Sequence, residues 1–341
     1  MRWICLIFLV ILNSGINAQS KARDTIYLYN GQILIGDIRD ANFGEITIDE
    51  MDLKMTSIKL YKIKRLVIND RFRIETLDKR FFEGMLGPSE KEGYIDLYPD
   101  HAVKESMLIT HIFTLVPLDK DFIRRIHGNI SAGFSFTKSS NIGQLNGSAN
   151  AQYATRKLDY AAFISEIGSI DSGKYSRDNE SAQLYSNYNL TPTWFAAIAL
   201  LYQRNLELSI SRRYTELFGG GKKLVIKQTW ELLAITGISL TQEKSTEGVT
   251  NGTSLEIPLM IRFDFFQFHH PDIQITSNET LYYGITDQGR VRFDGNTSFS
   301  WQIIRYFYLK IGPYTNFDSK PPVSSKSNFD YGLVVSLSYR F

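Results

Sequence analysis

Tyr331-Gly-Leu-Val-Val-Ser-Leu-Ser-Tyr-Arg-Phe341 ends the sequence, and its side chains sort by parity: Tyr331, Leu333, Val335, Leu337, Tyr339 and Phe341 share one face. An extended strand turns successive side chains to opposite faces, so this stretch predicts a strand with one continuous apolar face. The same period of two recurs back to Gly128. Leu255, Ile257, Leu259, Ile261 and Phe263 oppose Glu256, Pro258, Met260, Arg262 and Asp264. Val291, Phe293, Phe299 and Trp301 oppose Arg290, Arg292, Asp294, Asn296, Ser298 and Ser300. Twelve strands are read, near 128–138, 143–154, 158–169, 181–190, 193–204, 206–223, 230–242, 253–267, 272–285, 289–302, 306–317 and 329–341. Alternation is weak in the third, fourth and ninth, which leaves counts of ten or fourteen open.

One apolar face suits a soluble sandwich as well as a membrane barrel. Strand length argues for the barrel: roughly 11–15 residues here, against about 5–6 in soluble strands and about 9–11 to cross a bilayer. Tryptophan placement agrees. Trp194 and Trp230 open strands and Trp301 nearly closes one, so all three fall at one end of the sheet on the apolar parity, as in an interfacial aromatic girdle. Residues 128–341 are therefore expected to form an antiparallel transmembrane β-barrel. Leu337, Tyr339 and Phe341 resemble the C-terminal signal that barrel assembly machinery reads, with the usual upstream glycine displaced to Gly332.

The barrel half also resembles the salt-induced outer-membrane family of unknown function. The likeness lies in Leu206-Glu-Leu-Ser-Ile-Ser-Arg-Arg-Tyr214, Gly219-Gly-Gly221, Leu224-Val225 and Leu232–Leu240 with its Gly237; Lys222-Lys223 stands where that pattern has an aromatic. The resemblance implies an outer-membrane barrel and brings no catalytic residues.

An internal repeat organises residues 19–117. Asp24–Ile38 aligns with Phe72–Leu86 at an offset of 48, placing Gly36 on Gly84 and Ile33 on Phe81. With one residue inserted, Gly44–Ile48 matches Gly93–Leu97, Ile58 matches Met107, and Ile63 and Leu66 match Ile112 and Leu115. Each copy reads as short strands broken by turns such as Asn30-Gly31. The pattern resembles SH3-like or Sm-like small barrels, which implies a shape only. Residues 118–127, Leu-Asp-Lys-Asp-Phe-Ile-Arg-Arg-Ile-His, read as a charged linker between independently folded parts.

Residues 1–18 have the form of a signal peptide: Met-Arg, ten apolar residues from Trp3 to Leu12, then a small-residue exit with cleavage expected after Ala18. Beyond it the longest apolar run, Trp194–Tyr202, has nine residues, well short of the roughly 20 of a spanning helix. Cys5 is the only cysteine and lies in that leader, so no disulfide is expected in the mature chain. Lys and Arg total 38 against 36 Asp and Glu, which supplies no basic patch for nucleic acid.

The polar parity of the barrel would line its lumen with Glu207, Arg213, Glu231, Glu256, Arg262, Asp264, Arg290, Arg292 and Asp294. Mixed charges of this kind either pair across the wall or constrict a narrow pore. His269-His270-Pro271-Asp272 reads as a turn, and Gly219-Gly220-Gly221 lacks the Lys-Ser/Thr of a phosphate loop. No catalytic, cofactor or metal site is expected. The reading is an outer-membrane barrel with a periplasmic interaction module, structural or a narrow passive pore. Its expected partners are membrane lipid, the assembly machinery, and a periplasmic protein or peptidoglycan. An outer-membrane enzyme with its site at the extracellular loops and a soluble exported β binding protein are the alternatives.

Overall fold

The computed structural model describes residues 23–50, 54–100, 103–118, 125–137, 142–171, 173–267, 272–304, 307–321 and 327–339. The leader with Ala18, most of the linker, His269, His270 and Phe341 lie outside these residues. The chain is all-β with two antiparallel sheets, and among the described residues no helix is long and apolar enough to cross a membrane.

The first sheet holds β1 (Asp24–Leu28), β2 (Ile33–Asn42), β3 (Glu45–Glu50), β4 (Lys54–Lys59), β5 (Ile63–Val67), β6 (Arg71–Thr76), β7 (Phe81–Pro88), β8 (Tyr94–Pro99), β9 (Glu105–Leu108) and β10 (Ile112–Pro117). It repeats itself. Strands β1–β4 form a meander, a 3-10 turn follows at Leu60–Lys62, and β5 returns to pair with β1. Strands β6–β9, the 3-10 turn Ile109–His111 and β10 do the same, with β10 pairing β6.

Small bonds repeat with the strands. Leu60 N–H donates to Gly44 O as Ile109 N–H donates to Gly93 O, and Tyr29 to Lys62 O as Leu77 to His111 O. A Cβ at Gly36 would stand 2.2 Å from Asp49 O, and one at Gly84 the same 2.2 Å from Tyr98 O, so only glycine lets the neighbouring strand approach. The core between the copies is built from matched positions: Ile26 and Ile74, Ile38 and Leu86, Ile63 and Ile112, Leu66 and Leu115, all buried. Each such side chain contributes about 1.5–3 kcal/mol through the apolar area it removes from water.

The second sheet runs in sequence order: β11 (Ile126–Thr137), β12 (Ile142–Ala154), β13 (Leu158–Asp171), β14 (Lys174–Asn189), β15 (Trp194–Asn205), β16 (Ile210–Ile226), β17 (Trp230–Ser245), β18 (Ser254–Gln267), β19 (Ile273–Gly284), β20 (Val291–Ile304), β21 (Phe307–Asp318) and β22 (Phe329–Tyr339). The twelve strands match the sequence reading in number and nearly in bounds. Two differ. Residues 171–180, expected as a loop, are mostly strand, because Gly173 at φ +79° makes a tight turn and the polar ribbon continues to Lys174. Leu206, expected to start a strand, opens a turn instead; Asn205 Oδ1 accepts from Leu208 N–H and Ser209 sits at φ +57°.

The sheet curls until its inner face meets itself. Asn205 on β15 donates to Asp330 on β22 at 2.8 Å, and Arg213 on β16 reaches Asp318 at the end of β21 at 2.7 Å. Among the described residues no pairing joins β22 to β11, so the edges of the curl lie between those strands. Alternation decides what each face carries. Trp194, Ile198 and Leu200 on β15 point out and are exposed, while Phe195, Ala197 and Ala199 point in and are buried.

Candidate functional site

Most of the inner wall is polar, and toward one end of the curl it is packed with charge. Arg213 Nη2 lies 2.8 Å from Glu243 Oε2 and 2.7 Å from Asp318 Oδ2. Arg290 Nη2 bridges the same two carboxylates at 2.9 and 2.6 Å. Beside them Arg292 holds Glu256 through two bonds, Nε to Oε1 at 2.8 Å and Nη2 to Oε2 at 2.5 Å. Thr241 Oγ1 donates to Glu256 Oε2 at 2.8 Å, and the Arg292 guanidinium sits 4.3 Å from the centre of the Tyr282 ring. These groups come from β16, β17, β18, β19, β20 and β21, with Arg290 just ahead of β20, so the network ties distant parts of the sheet across its inner space. All six charges are buried, and their signs balance three against three. Forked guanidinium–carboxylate pairs of this kind are the strong class of hydrogen bond.

Further along the wall the inner face loosens. Ser148, Ser165, Asn296 and Ser298 lie on the inward parity yet are exposed, so that stretch is open to water.

The opposite end, where the short turns lie, is covered by the first sheet. Glu75 Oε2 accepts from Lys223 Nζ at 2.6 Å, and Arg73 Nη1 donates to Asp159 Oδ1 and to Thr155 O, both at 2.7 Å. Lys59 pairs with Asp272 at 3.0 Å. Between these polar contacts Phe43 stacks on Phe266 at 4.1 Å and joins Phe113, Ile226 and Leu77 in a small apolar cluster. The two sheets thus pack on one another, with Phe266 and Ile226 of the second covering Phe43 and Phe113 of the first.

Burial pushes the Glu75 carboxyl up, but the Lys223 ammonium and the Arg73 guanidinium outweigh it and hold it below the ordinary carboxylate value. A depressed value in the folded state means this contribution is full above the unfolded value, near pH 4.3, and fades as the pH falls through the folded one. Glu75→Gln keeps an acceptor and removes the charge. It is expected to weaken docking by about 2 kcal/mol, as for hydrogen bonds to charged groups. Limited proteolysis between the sheets at pH 7 reads this; a cleavage rate equal to that of the unaltered chain would show that the pair does not hold the sheets together.

Of the lumen residues read from the sequence, the structure gathers Arg213, Glu256, Arg290 and Arg292 in the network. Arg262 and Asp264 pair at 2.6 Å nearer the first sheet, and Glu231 and Asp294 share the inward parity. Glu207 lies exposed in the turn Leu206–Ser209, beyond the end of β15, where Asn205 Oδ1 accepts from Leu208 N–H. Glu243 and Asp318 fall one residue beyond the strands read at 230–242 and 306–317, though Ser239-x-Thr241-x-Glu243 and Tyr314-x-Asn316-x-Asp318 continue the inward parity and carry the signal that finds them. Leu337 and Tyr339 lie in β22. Among the described residues no group of His, Cys, Asp or Glu is arranged to hold a metal ion.

Comparison with known proteins gives one family. The model described as "Protein of unknown function, DUF481" matches residues 128–341, the second sheet almost to its ends. No curated protein matches. A solved structure titled bacterial polysaccharide outer membrane secretin aligns at TM-score 0.33 and 12% identity, over 74% of this chain and 92% of that one.

Proposed function

Because the chain belongs to the DUF481 family of proteins of unknown function, we propose that its matched part is a β-barrel spanning the bacterial outer membrane. In this reading the barrel carries no catalytic site and anchors the first sheet, a duplicated SH3-like module, in the periplasm. The observation that carries it is the inversion of the second sheet. Charge lies inside, while Ile198, Phe218, Ile238, Leu259, Leu281 and Leu333 lie exposed outside. Water-soluble proteins rarely expose so wide an apolar belt, whereas a bilayer requires one. Trp194, Trp230 and Trp301 stand on the outward parity at the end that the first sheet covers, which fits a girdle at the periplasmic interface.

The leader ending at Ala18 would direct export, and Leu337, Tyr339 and Phe341 would present the chain to the assembly machinery. The module would meet a periplasmic protein or peptidoglycan.

Closed barrels resist detergent until heated, since every strand is bonded on both edges. Outer-membrane fractions run unboiled and boiled are expected to show a fast band that slows on boiling. A single unshifted band, or protein found in the osmotic-shock extract, would instead favour a soluble exported binding protein.

A second reading, a narrow pore, draws on the hydrated stretch at Ser148, Ser165, Asn296 and Ser298. In that case the Arg213–Glu243–Asp318–Arg290 network is the constriction. Single-channel currents in planar bilayers decide it: removal of Arg213 and Arg290 together should raise conductance, and silent membranes before and after would leave the anchor alone.

A further inference from the structure

Basic side chains meet on the outer wall at the end of the curl away from the first sheet. Arg213 and Glu243 point inward and pair, so alternation turns Arg212 on β16 and Lys244 on β17 outward, and the register sets these two directly opposite one another. Arg204 on β15 shares the outward parity of Tyr202 and lies beside them, its guanidinium donating to Arg177 O at 2.9 Å and to Ser211 O at 3.2 Å. Like charges facing one another across a ladder destabilise it. Among the described residues no carboxylate bonds to Arg212 or Lys244. Glu180 is buried and held by Arg177 and the Tyr202 hydroxyl. Glu216, on β16 beyond Tyr214, and Glu247, in the turn after β17, are exposed and bond to neither cation.

The neighbouring rows say what covers them. Toward the first sheet the outward face passes from these cations to Tyr202 and Tyr214, paired across β15 and β16 with ring centres 5.4 Å apart, and then to Ile198, Phe218 and Ile238 of the apolar belt. A bilayer leaflet presents phosphate, interfacial region and acyl chain in the same order. We infer that Arg212, Lys244 and Arg204 form a docking site for the phosphate groups of lipid in the outer leaflet. The site presupposes the membrane-spanning barrel proposed for the second sheet. A phosphate set between Arg212 and Lys244 replaces their repulsion with charge-assisted hydrogen bonds, and Arg204 keeps further N–H donors beyond its two backbone bonds. A soluble acidic partner would meet the charge alone, whereas a lipid also covers the tyrosines and the belt next to them.

The test uses the full chain in micelles of an uncharged detergent with added lipid A, an acylated and phosphorylated glucosamine disaccharide. Mass spectrometry of the intact complex counts the lipid retained. Bound lipid is expected on the unaltered chain, and none when the lipid's phosphates have been removed. Arg212→Gln with Lys244→Gln should weaken retention at least about tenfold, as for the loss of charge-assisted bonds. Lys227→Gln, exposed at the opposite end, should leave it unchanged. Arg212→Glu sets a carboxylate opposite Lys244, so it should abolish retention yet keep the fast gel band, a result that damage to folding cannot imitate. Equal retention by the double variant overturns the site, as does retention indifferent to the lipid phosphates. Inorganic phosphate that displaces the lipid at equal concentration assigns the cations to a free anion, and a lipid-free dimer assigns them to a protein interface; either overturns it. A fast gel band without bound lipid removes this site alone, whereas a single unshifted band removes the barrel that carries it.

Discussion

Glu256→Ala is expected to destabilise the folded second sheet by about 3–5 kcal/mol, the range for a buried ion pair that loses one partner. The reason lies in what remains. Arg292 is 2% exposed and loses both bonds to Glu256, keeping Thr241 Oγ1 at 3.4 Å and the face of Tyr282. A guanidinium cannot shed its proton to escape the mismatch. The loss should appear as a fall of roughly 10 °C in the temperature at which the fast gel band converts to the slow one, taking about 2–4 °C per kcal/mol for a chain of this size class. The double variant Glu256→Leu with Arg292→Met removes both charges at similar volume and should recover most of the loss, because burying two ions is itself costly. If Glu256→Ala shifts the transition by less than about 2 °C, water reaches Arg292 and the inner wall is a wet channel there.

The strands of this protein were open to reading because each face has one task. Leu255, Ile257, Leu259 and Ile261 keep strict parity against Glu256, Pro258, Met260 and Arg262, and the structure places them on opposite faces as expected. The repeat was visible for a different reason. Gly36 and Gly84 are held by backbone contact with the next strand, which no other residue tolerates, so they mark the alignment where side chains have drifted.

What parity could not supply was which inward charge meets which. Arg213 and Asp318 are 105 residues apart, and Lys223 and Glu75 are 148 apart; such pairings depend on curl and stagger. The docking of the two sheets was hidden for the same cause. Phe43 sits at a turn with φ +49° and reads locally as a loop residue, and the ring stacked on it, Phe266, comes from β18 of the other sheet. Glu207 sits in a turn rather than a strand because the Asn205 side chain stabilises a break in alternation that no glycine or proline announces.

Leu259→Arg separates the bilayer from water as the medium around the belt. Leu259 is 46% exposed near the middle of β18, with Leu281 opposite it on β19 and Thr236 on β17. On a protein surrounded by water, an exposed leucine exchanged for arginine shifts stability by no more than about 0.5 kcal/mol. On the lipid face of a barrel near the midplane the same exchange costs about 2–4 kcal/mol, declining toward the interfaces. Urea unfolding of the chain refolded into phospholipid vesicles measures the difference. Ser148→Arg, placed on the hydrated inner wall, should stay within about 1 kcal/mol of the unaltered chain, since its charge remains in water. A large loss at Leu259 beside a small one at Ser148 is the signature of lipid outside and water inside. Equal small effects would mean that the apolar belt faces water or a soluble partner, and the outer-membrane reading would fall with it.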